Sequence, residues 1–213
     1  GRCQHYVMTS SVMSYLNLYL AGEPLKEEDW DRPCSTAGME DQYSWSELEY
    51  AENKRRCESI ILNQAEIPST ILRLQNVVGE ADFSGKSEHL HKSICDGLYL
   101  RGLEQDTYQQ IYARDLGEIF ATVAESPTRK GARAINIGLD PISLGDYVQL
   151  FVGEYDKQPK FRNVPDAIGP FPRNVILDVC KQKVAITRNL TDYKFFLPAM
   201  GRKLMESNLA MIP

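Results

Sequence analysis

Residues 46–63 read SELEYAENKRRCESIILN. Leu48, Ala51, Cys57, Ile60 and Ile61 recur at helical spacings, with Glu47 and Glu49 early and Lys54, Arg55 and Arg56 later, the order that the helix dipole favours. The spacing predicts a helix from Ser46 to Asn63. Upstream, His5, Tyr6, Val7, Met8 and Thr9 form a β-branched and aromatic run closed by Ser10 and Ser11, which predicts a buried strand with room for a site at its carboxyl end. Downstream, Ile67 and Pro68 break the helix, Thr70 to Leu74 gives a second buried strand, and Gln75 to Gly79 gives a loop. A helix leading into a strand in this way favours a parallel sheet, and the fold class is α/β.

Working outward, Leu18 to Gln42 is rich in Gly, Pro, Glu and Asp without a steady period and reads as a long surface excursion. Beyond Gly79, the pattern predicts a helix over His89 to Arg101, a short strand over Gln109 to Tyr112, and an amphipathic helix over Asp115 to Ser126 carrying Leu116, Ile119, Phe120 and Val123 on one side. Ala134 to Gly138 reads as a third strand. Ser143 starts another helix, 159–172 is proline-rich, and Thr191 to Ser207 closes as a helix interrupted near Pro198.

The 213 residues are 43% hydrophobic and 25% charged, enough for one sizeable core. The formal net charge of −5 and the scatter of Lys and Arg lack the basic footprint of a nucleic-acid binder. The longest apolar runs fall far short of the roughly 20 residues that span a bilayer, and no signal segment opens the chain, so neither membrane nor export is expected and the reading is cytoplasmic. Cys3, Cys34, Cys57, Cys95 and Cys180 show no CxxC spacing, so reduced thiols are expected, with no disulfide framework and no metal site.

The chemistry gathers on Ser11, Tyr50 and Lys54. Tyr and Lys four apart share one helix face. A phenol is ordinarily a poor base, with a pKa of about 10, and a nearby ammonium favours its anion. A Tyr so placed exchanges a proton with a substrate hydroxyl or carbonyl, while a Ser at the strand's end holds the same oxygen by a hydrogen bond. Taken alone, one YxxxK is about as expected by chance.

The order of the motifs carries more. A strand ending in Thr9, Ser10 and Ser11 precedes the helix with Tyr50 and Lys54. A strand with Leu72 and Arg73 and a loop with Asn76 and Gly79 follow. Next come Tyr112-Ala113-Arg114-Asp115-Leu116-Gly117 and the strand Ala134-Ile135-Asn136-Ile137-Gly138. This order resembles the extended short-chain dehydrogenase/reductases, the NAD-dependent epimerase/dehydratases, over nearly the whole chain. The resemblance implies a Rossmann-like doubly wound parallel sheet, of which the C-terminal part is present, with a smaller substrate-binding lobe. The remaining part of the nucleotide-binding domain falls at 1–80 and 113–155, and the lobe at 81–112 and 156–213. Implied too is an oxidoreductase or epimerase/dehydratase acting on a hydroxylated small molecule with NAD or NADP. The residue four before the motif's Tyr, here Tyr15, is the catalytic Ser, which places that role on Ser11 beside Tyr50 and Lys54. Ser10, Tyr50, Lys54, Asn76 and Val77 would meet the cofactor, and Ser11, Asn76 and Tyr108 the substrate. A homodimer through the Tyr50 helix is expected.

The chain departs from the family in four places. No G-x-x-G-x-x-G or G-x-G-x-x-G occurs, so the phosphate cradle and about four strands before Tyr6 belong to residues outside this chain, to another chain, or are lost. Leu16 stands where Gly is usual and Glu80 where Pro is common. Tyr108 replaces an Arg that reaches the nucleotide diphosphate, which weakens a nucleotide-sugar reading. The alternative is a noncatalytic relative that keeps the fold for binding or assembly, favoured by the missing glycine motif, whereas retention of the Ser-Tyr-Lys trio favours the enzyme.

Overall fold

The computed structural model describes residues 3–21, 23–40, 43–64, 66–80, 82, 84–126, 131–153, 159–162, 175–186 and 189–209. Its strands in chain order are β1 (Tyr6–Ser11), β2 (Ser69–Leu74), β3 (Asn76–Val78), β4 (Tyr99–Arg101), β5 (Thr107–Tyr108), β6 (Gln110–Tyr112), β7 (Ala132–Ile137), β8 (Ile142–Ser143) and β9 (Lys160–Arg162). The α-helices are α1 (Trp45–Leu62), α2 (Lys86–Cys95), α3 (Ala113–Glu125), α4 (Leu144–Val152), α5 (Cys180–Ala185) and α6 (Tyr193–Leu209). Parallel strands β1, β2 and β7 lie side by side with β2 central, and all six β2 residues are buried. Three further two-stranded pairs join β3 with β6, β4 with β9 and β5 with β8.

Side chains alternate across the sheet. One face carries the register row Ser10, Arg73 and Asn136; the next row, Thr9, Leu72 and Ile135, faces the other way. Helix α1 covers the first face, where Glu58 bonds both Ser10 and Arg73. Helices α2, α3, α4 and α6 close the larger apolar core on the second face over Leu72, Leu74, Ile135 and Ile137. Both sheet connections step the same way across the sheet yet place α1 and α3 on opposite faces, so their hands are opposite. One of them therefore breaks the right-handed rule for parallel crossovers. The connection from β2 to β7 winds through β3 to β6 before reaching α3, and so long an excursion escapes the constraint on a short unit.

Local sequence explains the helix ends. Ser44 caps α1 by accepting from the Glu47 N–H at 3.4 Å while the Glu47 carboxylate accepts from the Ser44 N–H at 2.8 Å. This reciprocal box starts the helix at Trp45. Ser143 caps α4 by accepting from the Asp146 N–H at 3.0 Å. Pro198 sits within α6.

Three sequence expectations are corrected. The helix expected to run to Arg101 stops at Cys95, because Gly97 takes φ 70 and the Leu98 and Gly97 N–H groups reach back to Ser93 and Ile94. That glycine-closed ending leaves Tyr99–Arg101 free to pair with Lys160–Arg162. The excursion over Leu18 to Gln42 is not merely surface: two short 3-10 segments, Val12–Ala21 and Glu27–Asp31, bracket Leu25, and both Leu25 and Met39 join the smaller core against Leu48 and Ala51. On α1 only the first part of the apolar stripe is buried. Ile60 is 71% exposed and Cys57 is exposed, while the buried residues are Leu48, Ala51 and Glu58. Most of the proline-rich segment at 159–172 lies outside the described residues; its start forms β9.

Candidate functional site

Ser11 closes β1, and its hydroxyl oxygen accepts from the Met13 N–H at 3.2 Å, which turns the chain away at the strand's carboxyl end. On the flanking α1, Lys54 donates from Nζ to the carbonyl of Thr9 at 3.0 Å. The same ammonium stands 5.5 Å from the centroid of the Tyr50 ring. Tyr50 is 45% exposed and so remains open to a ligand. Lys54 therefore stands between the helix and the strand, two residues short of Ser11. Among the described residues β1 pairs only with β2, which leaves this corner at the sheet's open edge.

Asn76 and Val77 continue from β2. Leu74 is the register partner of Ser11, so Asn76 stands two residues past the same level, half-buried, with Val77 41% exposed beside it. The Asn76 side-chain amide nitrogen is enclosed and has no hydrogen-bond partner. A buried donor left unmatched costs about 1–3 kcal/mol.

Two expected contacts sit elsewhere. Ser10 is 2% exposed and its hydroxyl donates to Glu58 Oε1, so only its backbone remains to meet a cofactor. Tyr108 is a correction as a pocket wall. It is 1% exposed, packed edge-on to Tyr147 at 4.6 Å, with its oxygen accepting from Gln110 Nε2 at 2.8 Å. Burial, with Tyr147 and Tyr193 adding to it, pushes its phenol well up. An aromatic on a two-residue strand between apolar helices is drawn inward by the larger core.

Beneath the corner runs a buried polar chain that sequence reading missed. Arg73 Nε donates to Glu58 Oε2 at 2.8 Å with both side chains essentially inaccessible. Arg73 Nη1 donates to the Tyr15 hydroxyl at 2.9 Å, and that hydroxyl donates to Asn136 Oδ1 at 2.8 Å. Asn136 donates onward to the carbonyls of Leu25 and Asp178. Burial pushes the Tyr15 phenol up against the opposing pull of Arg73. The available signal was Arg73 itself, since a charge inside a strand that is otherwise apolar requires a partner. A second pair, Gln75 and Gln109, bonded at 3.1 Å, holds Val175 and Leu177 over the sheet end. Further out, the Tyr112 hydroxyl donates to Glu80. Burial raises the Glu80 carboxyl, but that hydrogen bond, its own backbone and Arg114 outweigh it and hold it below the usual range.

Two hollows lie away from this corner. One, of about 500 Å³, is lined by Gly138, Asp140, Gln182, Lys183 and Tyr193; the other, open and about 1050 Å³, is lined by Trp30, Arg73, Ala134 and Lys181. Among the described residues no group of His, Cys, Asp and Glu is placed to hold a metal, and no helix is long and apolar enough to cross a membrane.

A parallel sheet with helices on both faces defines a Rossmann-like α/β architecture. Solved structures share it. The UDP-N-acetylglucosamine 4-epimerase from Methanobrevibacter ruminantium, in complex with UDP-N-acetylmuramic acid, superposes with a TM-score of 0.67 at 17% identity, over 96% of this chain and 64% of its own. The dTDP-glucose 4,6-dehydratase from Bacillus anthracis, in complex with NAD, gives 0.66 at 16% identity, over 96% and 62%. RMD from Pseudomonas aeruginosa, complexed with NADPH, gives 0.67 at 12%, over 97% and 67%. This chain shares the fold of these neighbours and spans only about three-fifths to two-thirds of their length. No family model and no curated protein matches the sequence.

Proposed function

We propose that this chain is the catalytic and substrate-side part of an NAD(P)-dependent epimerase/dehydratase or related oxidoreductase. Its substrate is a hydroxylated small molecule, with sugar nucleotides the first class to test, since the neighbours include enzymes named for UDP- and dTDP-sugars. The observation that carries the reading is Lys54, held on the Thr9 carbonyl at 3.0 Å beside the Tyr50 ring and close to Ser11. A chance YxxxK pair has no reason to be tied to the strand that bears the serine.

In this reading Ser11 hydrogen-bonds the substrate oxygen, Tyr50 takes or returns that oxygen's proton, and Lys54 supports Tyr50 and holds the ribose next to the nicotinamide. The unmatched amide nitrogen of Asn76 fits a ligand oxygen at the same corner, and Val77 offers an exposed apolar contact beside it. When bound, the nicotinamide supplies the hydride acceptor and donor. The lobe over 81–112 and 156–213 sets substrate choice.

The test uses the intact protein, titrated with NAD⁺ and NADP⁺ by calorimetry and assayed on a panel of UDP- and dTDP-sugars. Tyr50→Phe is expected to lower turnover by about 10²- to 10⁴-fold with cofactor affinity kept, whereas Lys54→Met lowers both. Wild-type turnover in Tyr50→Phe overturns the assignment, and a protein that binds neither nucleotide is the noncatalytic relative instead.

A further inference from the structure

Helix α1 has a slight apolar grip on the sheet. Of its 18 residues only Leu48, Ala51 and Glu58 are buried, so apolar packing at two points does little to fix the helix along its axis. Directional bonds do that. Lys54 bonds the Thr9 carbonyl, Glu58 accepts from the Ser10 hydroxyl, and Arg55 bonds the Ser14 carbonyl at 3.0 Å. Glu58 lies one turn beyond Lys54, so consecutive β1 residues are gripped by consecutive turns of α1. Of these three anchors Glu58 is the rigid one. It is 0% exposed, and its second oxygen is fixed by Arg73, which is itself held by Tyr15 and the Glu27 carbonyl.

We infer that Glu58 is a positioning residue: through Ser10 it sets the height of α1 against the end of β1 and thereby holds Tyr50 and Lys54 opposite Ser11. The inference rests on the site proposed above, but its geometric content stands apart from turnover. A slide of α1 by one residue is about 1.5 Å, and a displacement of about 1 Å in a catalytic group lowers rate by about 10²-fold.

Ser10→Ala is the informative change, because it removes the tie from Glu58 to β1 while leaving the tie to β2 through Arg73 whole. Fluorine NMR of the intact protein labelled with fluorotyrosine, with the Tyr50 signal assigned through Tyr50→Phe, reads the ring directly. Ser10→Ala is expected to shift or split the Tyr50 signal by more than its linewidth, with the melting temperature lowered by only a few degrees. Ser10→Thr, which keeps the hydroxyl, restores one signal at the original position. Tyr50 is partly exposed and two turns from Glu58, so a loss of stability alone leaves its signal in place. An unmoved Tyr50 signal in Ser10→Ala overturns the positioning role whatever happens to turnover. Turnover of Tyr50→Phe, measured separately, decides the catalytic reading, and its failure leaves the fluorine result standing.

Discussion

Replacing Leu16 by alanine and by glycine separates two forces that the native side chain combines. Leu16 has φ 52 and ψ −136, a backbone conformation natural to glycine, and it is the one non-glycine residue with positive φ among those described. Its side chain is 5% exposed in the smaller core, with Tyr15, Leu48 and Ala51. Truncation to alanine loses that packing, about 2–5 kcal/mol, and keeps a strain of about 1–3 kcal/mol. Glycine loses the same packing but releases the strain, at an entropic cost of about 0.5–1 kcal/mol relative to alanine. Leu16→Gly is therefore expected to be less stable than wild type yet more stable than Leu16→Ala by about 0.5–2 kcal/mol, the reverse of the usual order of these residues. Urea unfolding of the three proteins, compared at equal slope, measures it. If alanine equals or exceeds glycine, Leu16 is not strained and the turn after Ser11 is not held in the conformation that glycine prefers.

Two further outcomes follow from packing and burial. Gly201→Ala would drive a methyl carbon into the Phe151 carbonyl oxygen, so α6 must part from α4; a loss of about 3 kcal/mol or more is expected by denaturant titration, and a near-neutral variant would show that the helices pack otherwise. Burial raises the phenols of Tyr15, Tyr108, Tyr147 and Tyr193, and burial together with Glu80 pushes Tyr112 up to about 12. A phenol whose folded pKa exceeds its unfolded value of about 10 lends stability that is whole below that pH and lost as pH climbs through the folded values. Phenolate absorbance of these five and loss of ellipticity should consequently rise together above pH about 10; full phenolate formation with the fold intact would contradict their burial.

Most of the sheet unit was legible because its signals are local. The run before Ser10, the Pro68 break and TILRL each report on their own backbone, and β1, α1 and β2 fall where these signals put them, within a residue or two. What was not legible depended on distant partners. Periodicity marked α1 as a helix but left its inner face open; Glu58 is drawn inward by Arg73, a residue on another strand. Tyr108 was placed at a pocket by its position in a motif, whereas the aromatic cluster of Tyr147 and Tyr193 that encloses it is assembled from the far end of the chain. The Ser10 and Ser11 pair shows the same division. Sequence marks both as the strand's end, but which hydroxyl turns to the core is decided by alternation in a register that only the neighbouring strand supplies.

That register also gives the buried ion pair its place. Well-packed apolar residues often match or exceed a buried pair in stability, so Arg73 and Glu58 are poorly explained as a source of strength. Their position explains more. Ser10, Arg73 and Asn136 form one row across all three strands of the sheet, each 2% exposed or less, and Tyr15 and Glu58 join them on the α1 face. The next row, Thr9, Leu72 and Ile135, is turned toward the larger apolar core. A slip of β2 by one residue exchanges the faces. It would drive the Arg73 guanidinium into that core without a carboxylate and bring Leu72 under Glu58, leaving two buried charges unpaired at several kcal/mol each. Alternation of apolar residues cannot make this distinction, because β2 is buried on both faces and Ile71, Leu72 and Leu74 would be tolerated on either. The polar row fixes the register that apolar burial leaves open, and Ser11 is the next residue of β1 beyond it.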